Sequence, residues 1–543
     1  LSRCASPAAR AWRSSSNGST SFSRISAAVE TSGSTVAPPA DAGAVTRWLE
    51  RLTEVLERRK VEYGFFIGIF VLLLAFTIFR PMFPNYDTYY ALIWGDEMAH
   101  LQLPDYDVFK TPTPHPLFNL YTMLLSPLGG AAIPLLTVFS LAMYTGLLYG
   151  VMRLVKQQVG TLVAFVTVLV LLTRTDLMAY ALRSMLDIPF LLMIVWAAVL
   201  ELQRPRRGLA PLILLSMAGL LRPEAWLMAG LYWLWLGYGW VRPKDALPGE
   251  RPSIAALIGF GLLVISAPVI WLAWDAVVTG DALYSVHSTS EVAKEVNRQK
   301  SLPDAILALP GFIGGSEQWV NALAGISGFA LALWVYRRHM LMLAALVAVG
   351  IVTYLLIALA GLSVIPRYLV VPSLVMCFGV AFSLVGWERL SGRPRRIGIW
   401  LACLTLLLMV VRVPAYFDQL RGLNTSTDQI SVSYSRVIDI LNKPKVAAEI
   451  ERCKPILAFT HESVPIIRYE LRAGKNEVIA TTQLKKPPTA GVQLLQTSAL
   501  DPLQMTVVTR TTRKPWTGFR QPGFFFVGEN RAWIAYSSCK EAR

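Results

Sequence analysis

Residues 63–95, YGFFIGIFVLLLAFTIFRPMFPNYDTYYALIWG, decide how the rest of the chain is read. Nothing charged interrupts the run before Arg80, and about 20 mostly apolar residues suffice to cross a bilayer's hydrocarbon. The run 63–82 therefore predicts a transmembrane helix. It is followed at once by an aromatic loop that carries a carboxylate, Asp87, near the lipid headgroups. The whole chain agrees with this start. Of its 543 residues 54% are hydrophobic and 16% charged, against about 25% charged in soluble proteins, and the mean hydropathy is +0.47. A soluble enzyme, a disordered scaffold and a coiled coil are excluded. The net charge of +16 does not imply a nucleic-acid partner, because membrane proteins concentrate Lys and Arg in cytoplasmic loops.

Ten further apolar runs follow, at 131–151, 159–173, 186–202, 209–221, 225–240, 253–274, 318–335, 340–360, 369–387 and 397–413. The 209–221 run is short, so 209–240 reads either as two spans or as a re-entrant hairpin. The expected fold class is an all-α polytopic membrane protein of about eleven transmembrane helices with a small C-terminal extracytoplasmic α/β domain. One set of loops holds 14 basic residues in about 40 positions and the other set 8 in about 120. That asymmetry places the N-terminus in the cytoplasm and the C-terminus outside a plasma membrane. It also makes 116–128 an interfacial helix rather than a crossing.

The domain plan is then a disordered cytoplasmic tail over 1–45, with a transit peptide as the other reading of its Arg- and Ser-rich composition. An interfacial amphipathic helix over 46–62 precedes the transmembrane domain 63–413, whose first outer loop is 83–130 and whose large outer loop is 275–317. Over 414–543 the composition turns polar, with a helix over 434–450 and strand-like runs including PILAFTH, NEVIATTQL, MTVVTRT and GFFFVGEN. Cys453 and Cys539 bracket this outer domain, in a compartment where disulfides persist, and are expected to pair. Cys377 and Cys403 lie within apolar runs as packing residues.

The outer loops hold the unusual charges. A carboxylate near low-dielectric surroundings makes a better base, although Asp87 could equally be a helix cap. In the second loop Arg183 and Asp187 are four apart and on a helix would share a face, with Pro189 in the first turn of the next span. Arg222-Pro223-Glu224 joins two apolar runs, either as a hydrated tip or as part of a polar cavity. Arg367-Tyr368 starts another span. Charges at span ends are costly unless paired or serving a cavity, and Arg binds phosphate oxygens in a bidentate way. Carboxylates and arginines gathered on one face thus fit transfer of a group from a polyprenyl phosphate.

On these residues the chain resembles the GT-C superfamily of membrane glycosyltransferases, nearest the branch of protein O-mannosyltransferases and lipid A aminoarabinose transferases. The resemblance covers roughly 63–413 and rests on Asp87 in NYDTYYALIWG, on Tyr180-x-x-Arg183-x-x-x-Asp187-x-Pro189, on Arg222-Pro223-Glu224 and on Arg367-Tyr368. It implies Asp87 as the catalytic base and Asp187 as the second catalytic carboxylate. It further implies Arg183, Arg222, Arg367 and Lys110 as donor-phosphate partners, with Glu224, Tyr180 and Tyr368 in support. No cofactor is required. The later Asp105-Tyr106-Asp107 leaves a divalent metal open, since an Asp-x-Asp can help bind one.

The expected function is an integral-membrane inverting glycosyltransferase of the cell envelope. It would move a sugar from a polyprenyl-phosphate donor to an acceptor hydroxyl on a glycan, lipid or protein outside the cell. Two other classes stay open: a transporter or flippase for a lipid-linked or anionic solute, and a non-catalytic membrane assembly protein. The flippase is disfavoured by the lack of internal repeats and of mid-membrane charges.

Overall fold

The computed structural model describes residues 44–80, 82–241, 252–497 and 518–539. The expected tail, apart from residues 44 and 45, lies outside these residues, as do Arg242, Lys244 and Arg251 of one basic loop and the strand-like run 505–511. An amphipathic helix is present at Ala44–Leu56 and ends before the next helix begins at Arg59, so the expected helix over 46–62 divides in two.

The remainder is mostly helical, and each of the eleven apolar runs lies in a helix. By length and apolarity six helices qualify to cross a membrane, or up to seven if a bent pair is one span. Fewer than eleven qualify for physical reasons. Asp187–Gln203 has 17 residues and Leu209–Gly219 only 11. Trp319–Leu359 holds two runs in one piece, interrupted by the 3-10 turn Arg337–Met340. Thr161–Leu172 and Thr175–Leu182 are bent by 69°. The chain is an integral membrane protein.

Pro366–Arg389 is the inner span, with 89% of its apolar window buried, whereas Ile254–Thr279 has 11% buried and turns its apolar surface outward. The inner span packs closely on helix Leu302–Tyr336 because both carry glycine where they cross. A Cβ on Gly328 would collide with the backbone carbonyl of Gly379, so only glycine permits this approach. The contact fixes the height of Arg367, which lies one turn before helix Val370–Val385.

The last helix departs from expectation. Gly392–Leu441 runs for 50 residues straight through Pro414, roughly 75 Å at 1.5 Å per residue. Pro414 costs one backbone hydrogen bond without stopping the helix. The expected helix over 434–450 is its distal end, followed after a break by Pro444–Arg452. Arg80, just past the first span, pairs with Asp428 at 2.8 Å and bonds Asn424 on this helix.

The C-terminal region forms a five-stranded sheet of β1 (Ile456–Ala458), β2 (Val478–Ala480), β3 (Gly491–Gln496), β4 (Phe525–Glu529) and β5 (Trp533–Ser538). Their order is β2-β1-β3-β5-β4. β1 pairs parallel with β2 and β3, and β5 pairs antiparallel with β3 and β4. Cys453 and Cys539 are joined, with Cα atoms 5.4 Å apart. One continuous apolar core unites the sheet with the first loop: Tyr89, Leu92, Leu125 and Leu136 pack in the same cluster as Val437, Ile456 and Trp533. The loop that carries Asp87 is thereby clamped between the membrane helices and the sheet.

Candidate functional site

Asp87 sits in the first turn of helix Tyr86–Ala99, but it is not the cap. Asn85 is, its side chain accepting from the Thr88 amide at 3.0 Å, which leaves the Asp87 carboxylate free to face outward from the helix. The same turn is stitched to the second loop. The Asn85 amide donates to the Arg183 carbonyl at 3.1 Å, and the Thr88 hydroxyl donates to the Ser184 carbonyl at 3.0 Å. Ser184 holds a left-handed backbone, φ 52°, which turns the chain between helices Thr175–Leu182 and Asp187–Gln203. That turn breaks the helix on which Arg183 and Asp187 would share a face: Arg183 follows the end of Thr175–Leu182, and Asp187 begins the next helix. On the other side the Tyr86 hydroxyl donates to the Lys110 carbonyl at 2.9 Å. Arg183 and Lys110 are thus tied by their backbones to the two residues preceding Asp87.

Asp87, Asp187, Arg222, Glu224 and Arg367 converge although 280 positions separate the first from the last. Arg367 lies between the carboxylates, its Nη1 3.6 Å from Asp87 Oδ2 and its Nε 3.7 Å from Asp187 Oδ1. Arg222 Nη2 contacts Asp187 Oδ1 at 2.8 Å, and its Nη1 contacts Glu224 Oε1 at 3.3 Å. The side chains of Arg222, Asp187 and Glu224 retain only 6%, 3% and 9% of their exposure, so this turn is a buried charge network, not a hydrated tip. The Arg222 guanidinium also lies over the rings of Phe190 and Tyr368, at 5.5 and 5.4 Å. Asp187, Arg222, Glu224, Arg367 and Tyr368 line a cavity of about 20 Å³, room for roughly one water.

The network has unused capacity. Asp187 Oδ2, Arg367 Nε and Arg183 Nε are buried without a hydrogen-bond partner among the described residues, and buried polar atoms are seldom left so. His115 stands beside them. Burial first, then the positive charges of Arg222 and Arg367, push its imidazole down to about 3, and its Nδ1 is likewise unpartnered. It is neutral at physiological pH.

Asp105 and Asp107 lie away from this network. Lys475 reaches Asp105 Oδ2 at 3.1 Å and Asp107 Oδ2 at 3.4 Å, joining the first loop to the sheet domain. Glu97 adds a second tie, with Oε1 3.6 Å from Arg468 Nη2 and Oε2 accepting from the Asp105 amide at 2.8 Å. Tyr180 lines a separate, larger cavity.

At the seam between loop and sheet, His461 packs edge-on against Tyr86 and Phe109. Burial, then Lys110 and Arg298, lower its pKa to about 4 from the ordinary 6.5. The unfolded chain therefore takes up this proton first as pH falls. Stability contributed by neutral His461 is complete above about 6.5 and declines until about 4, by about 3 kcal/mol at most. Thermal unfolding followed from pH 7.5 to 4 should show this decline, and His461→Gln should flatten it. An unchanged slope would assign the acid sensitivity to other groups.

Several site residues carry signals too weak to single out from sequence. Asn85 stands three positions before Thr88 in an N-cap pattern, and His115 precedes Pro116 at a helix start. Ser184 gives no warning of a left-handed turn, since only glycine, Asn and Asp favour that backbone.

No known family profile matches the chain, and no curated protein matches it. Among solved structures, the aminoarabinose transferase ArnT from Cupriavidus metallidurans bound to undecaprenyl phosphate superposes with a TM-score of 0.51. The identity is 14%, covering 88% of this chain and 98% of that one. The same enzyme in the apo state gives 0.50, again at 14% identity and the same coverage. At this identity the likeness is one of fold. The chain shares the fold of this aminoarabinose transferase, in keeping with the resemblance read from its sequence.

Proposed function

We propose that the protein is an inverting glycosyltransferase that moves a sugar from a polyprenyl-phosphate donor to an acceptor hydroxyl on the extracytoplasmic side. The observation that carries this reading is the placing of Asp87 and Asp187 on either side of Arg367, with both carboxylates tied to one stitched pair of loops. The fold shared with an enzyme solved bound to undecaprenyl phosphate supports the donor class. With this reading go eleven crossings, a cytoplasmic N-terminus and an outer sheet domain.

In the reaction Asp87 accepts the proton of the acceptor hydroxyl. The freed oxygen bonds to the anomeric carbon on the face opposite the phosphate. The bond from that carbon to the phosphate oxygen breaks, and polyprenyl phosphate leaves with the electron pair. Asp187 orients Arg367 and is itself held by Arg222. Arg222 is already engaged by two carboxylates, so its role is to anchor Asp187. Arg183 and Lys110 make no ion pair among the described residues and meet the donor phosphate, with Arg367 reaching in from the carboxylate side. Partial burial lowers the Lys110 pKa, and an incoming phosphate restores its charged form.

The test uses purified full-length protein with polyprenyl-phosphate-linked sugars, following release of polyprenyl phosphate. Arg183→Ala and Lys110→Ala should each raise the donor KM about tenfold, with a smaller change in kcat. Indifference of both would move the phosphate site elsewhere. Absence of release with every donor would overturn the reading.

A further inference from the structure

Helix Pro444–Arg452 and strand β5 meet at their ends, where Cys453 and Cys539 are joined. Glu449, one helical turn before Cys453, sets its carboxylate against this bond. Its Oε2 lies 3.5 Å from Cys453 Sγ and 3.4 Å from Cys539 Sγ. Sulfurs bonded to each other carry no proton to donate, so in the joined form these contacts are not hydrogen bonds. Two sulfurs and a carboxylate oxygen gathered in this way are the donor set that zinc-class cations take.

The carboxylate is held in this position through both oxygens. Arg452 Nη2 donates to Oε1 at 2.7 Å, and the buried Ser537 hydroxyl donates to Oε2 at 2.6 Å. Outer partners of this kind orient ligating carboxylates in metal sites. The spacing fits as well. With Zn–S of about 2.3 Å and Zn–O of about 2.0 Å, a tetrahedral site separates sulfur from oxygen by about 3.5 Å. Both sulfur–oxygen contacts match that edge. Cys453 is buried, whereas Glu449 and Cys539 are half-buried and leave a cation a way in. The bond alone keeps the two sulfurs from serving as separate ligands, and reduction removes it.

We infer that Cys453, Cys539 and Glu449 hold a zinc-class cation once the bond is reduced, so that metal replaces the covalent tie between helix Pro444–Arg452 and β5. A dithiol reductant is oxidised to its own disulfide as it opens the bond, and the two protein sulfurs take its two protons. Zinc then displaces both protons to solvent and binds two thiolates, the Glu449 carboxylate and one water. The site shares no residue with the Asp87–Arg367 network and stands whether or not the chain transfers sugar. In the competing account Glu449 serves only Arg452 and Ser537, which predicts the same metal content in both redox states.

The experiment uses purified full-length protein, either with the bond intact or reduced by a water-soluble phosphine that is then removed anaerobically. The phosphine leaves as its oxide, with oxygen from water. Zinc is titrated against a chromophoric chelator, and cobalt(II) replaces zinc for absorption spectra. Reduced protein should bind one zinc more per chain than oxidised protein, and its cobalt form should show the strong visible bands of tetrahedral thiolate ligation. Cys377 and Cys403 are free in both samples, so metal on them cancels in the comparison. Glu449→Gln should weaken the extra zinc at least about tenfold, and Cys453→Ser/Cys539→Ser should show none. Zinc should also raise the unfolding temperature of reduced protein and leave that of oxidised protein unchanged. Equal zinc binding by the two redox states overturns the proposal. So does an octahedral cobalt spectrum, a Glu449→Gln affinity within about threefold of wild type, or an unfolding temperature of reduced protein that zinc does not move.

Discussion

Asp87→Asn is expected to lower kcat for sugar transfer by about 10²- to 10⁴-fold, the usual contribution of a positioned general base. The amide keeps the size of the carboxylate and leaves Asn85 capping the helix, so the local fold should survive. It removes the proton acceptor and the charge facing Arg367 at 3.6 Å. Because Asp87 pairs with Arg367 but with neither Arg183 nor Lys110, the donor KM should move less than kcat, and the loss should appear in kcat and kcat/KM together. Single-turnover transfer with wild-type and variant at saturating donor gives the comparison. A drop of less than about threefold would remove Asp87 as the base.

The largest effect on stability should come from Arg222→Ala. Arg222 neutralises two carboxylates in a region where all three side chains are almost fully buried. Its removal leaves Glu224 without a cation and Asp187 with only Arg367 at 3.7 Å, and breaking a buried pair in this way costs roughly 3–5 kcal/mol. The packing of the guanidinium between Phe190 and Tyr368 is lost with it. Arg222→Lys retains a charge but cannot present two forked donors to two acids, so it should recover only part of the loss. Glu224→Gln should be milder, since Asp187 keeps its 2.8 Å partner. Thermal unfolding in detergent ranks the three. An Arg222→Ala protein as stable as wild type would show that the network adds nothing to folding.

The membrane character and the location of the unusual charges were legible because both follow from one cost. Charge is expelled from hydrocarbon, so apolar runs stand out, and whatever charge remains at their ends stands out as well. Partnership was less legible. Arg222 and Asp187 are far apart in sequence, and nothing local says that the arginine serves the aspartate rather than a phosphate. The shared face of Arg183 and Asp187 required an unbroken helix, whereas Ser184 turns the chain between them. Pro414 misled in the opposite sense: the helix continues through it. In the C-terminal sheet β5, WIAYSS, alternates buried and half-buried residues, so its period was available to be read.

The two hydrogen bonds that join Asn85 and Thr88 to the Arg183–Ser184 backbone make a single mechanical part of two loops that are distant in sequence. Strain applied to either loop is shared by the other, so the separation of the two carboxylates should vary little as the protein breathes. A void the size of one water cannot take a sugar, and the joined loops are poor candidates for making room. Whatever yields on loading must come from the opposing wall, where Arg367 and Tyr368 ride on a different helix. Turnover would then be paced by how readily that wall retreats, with the carboxylates acting as a fixed anvil.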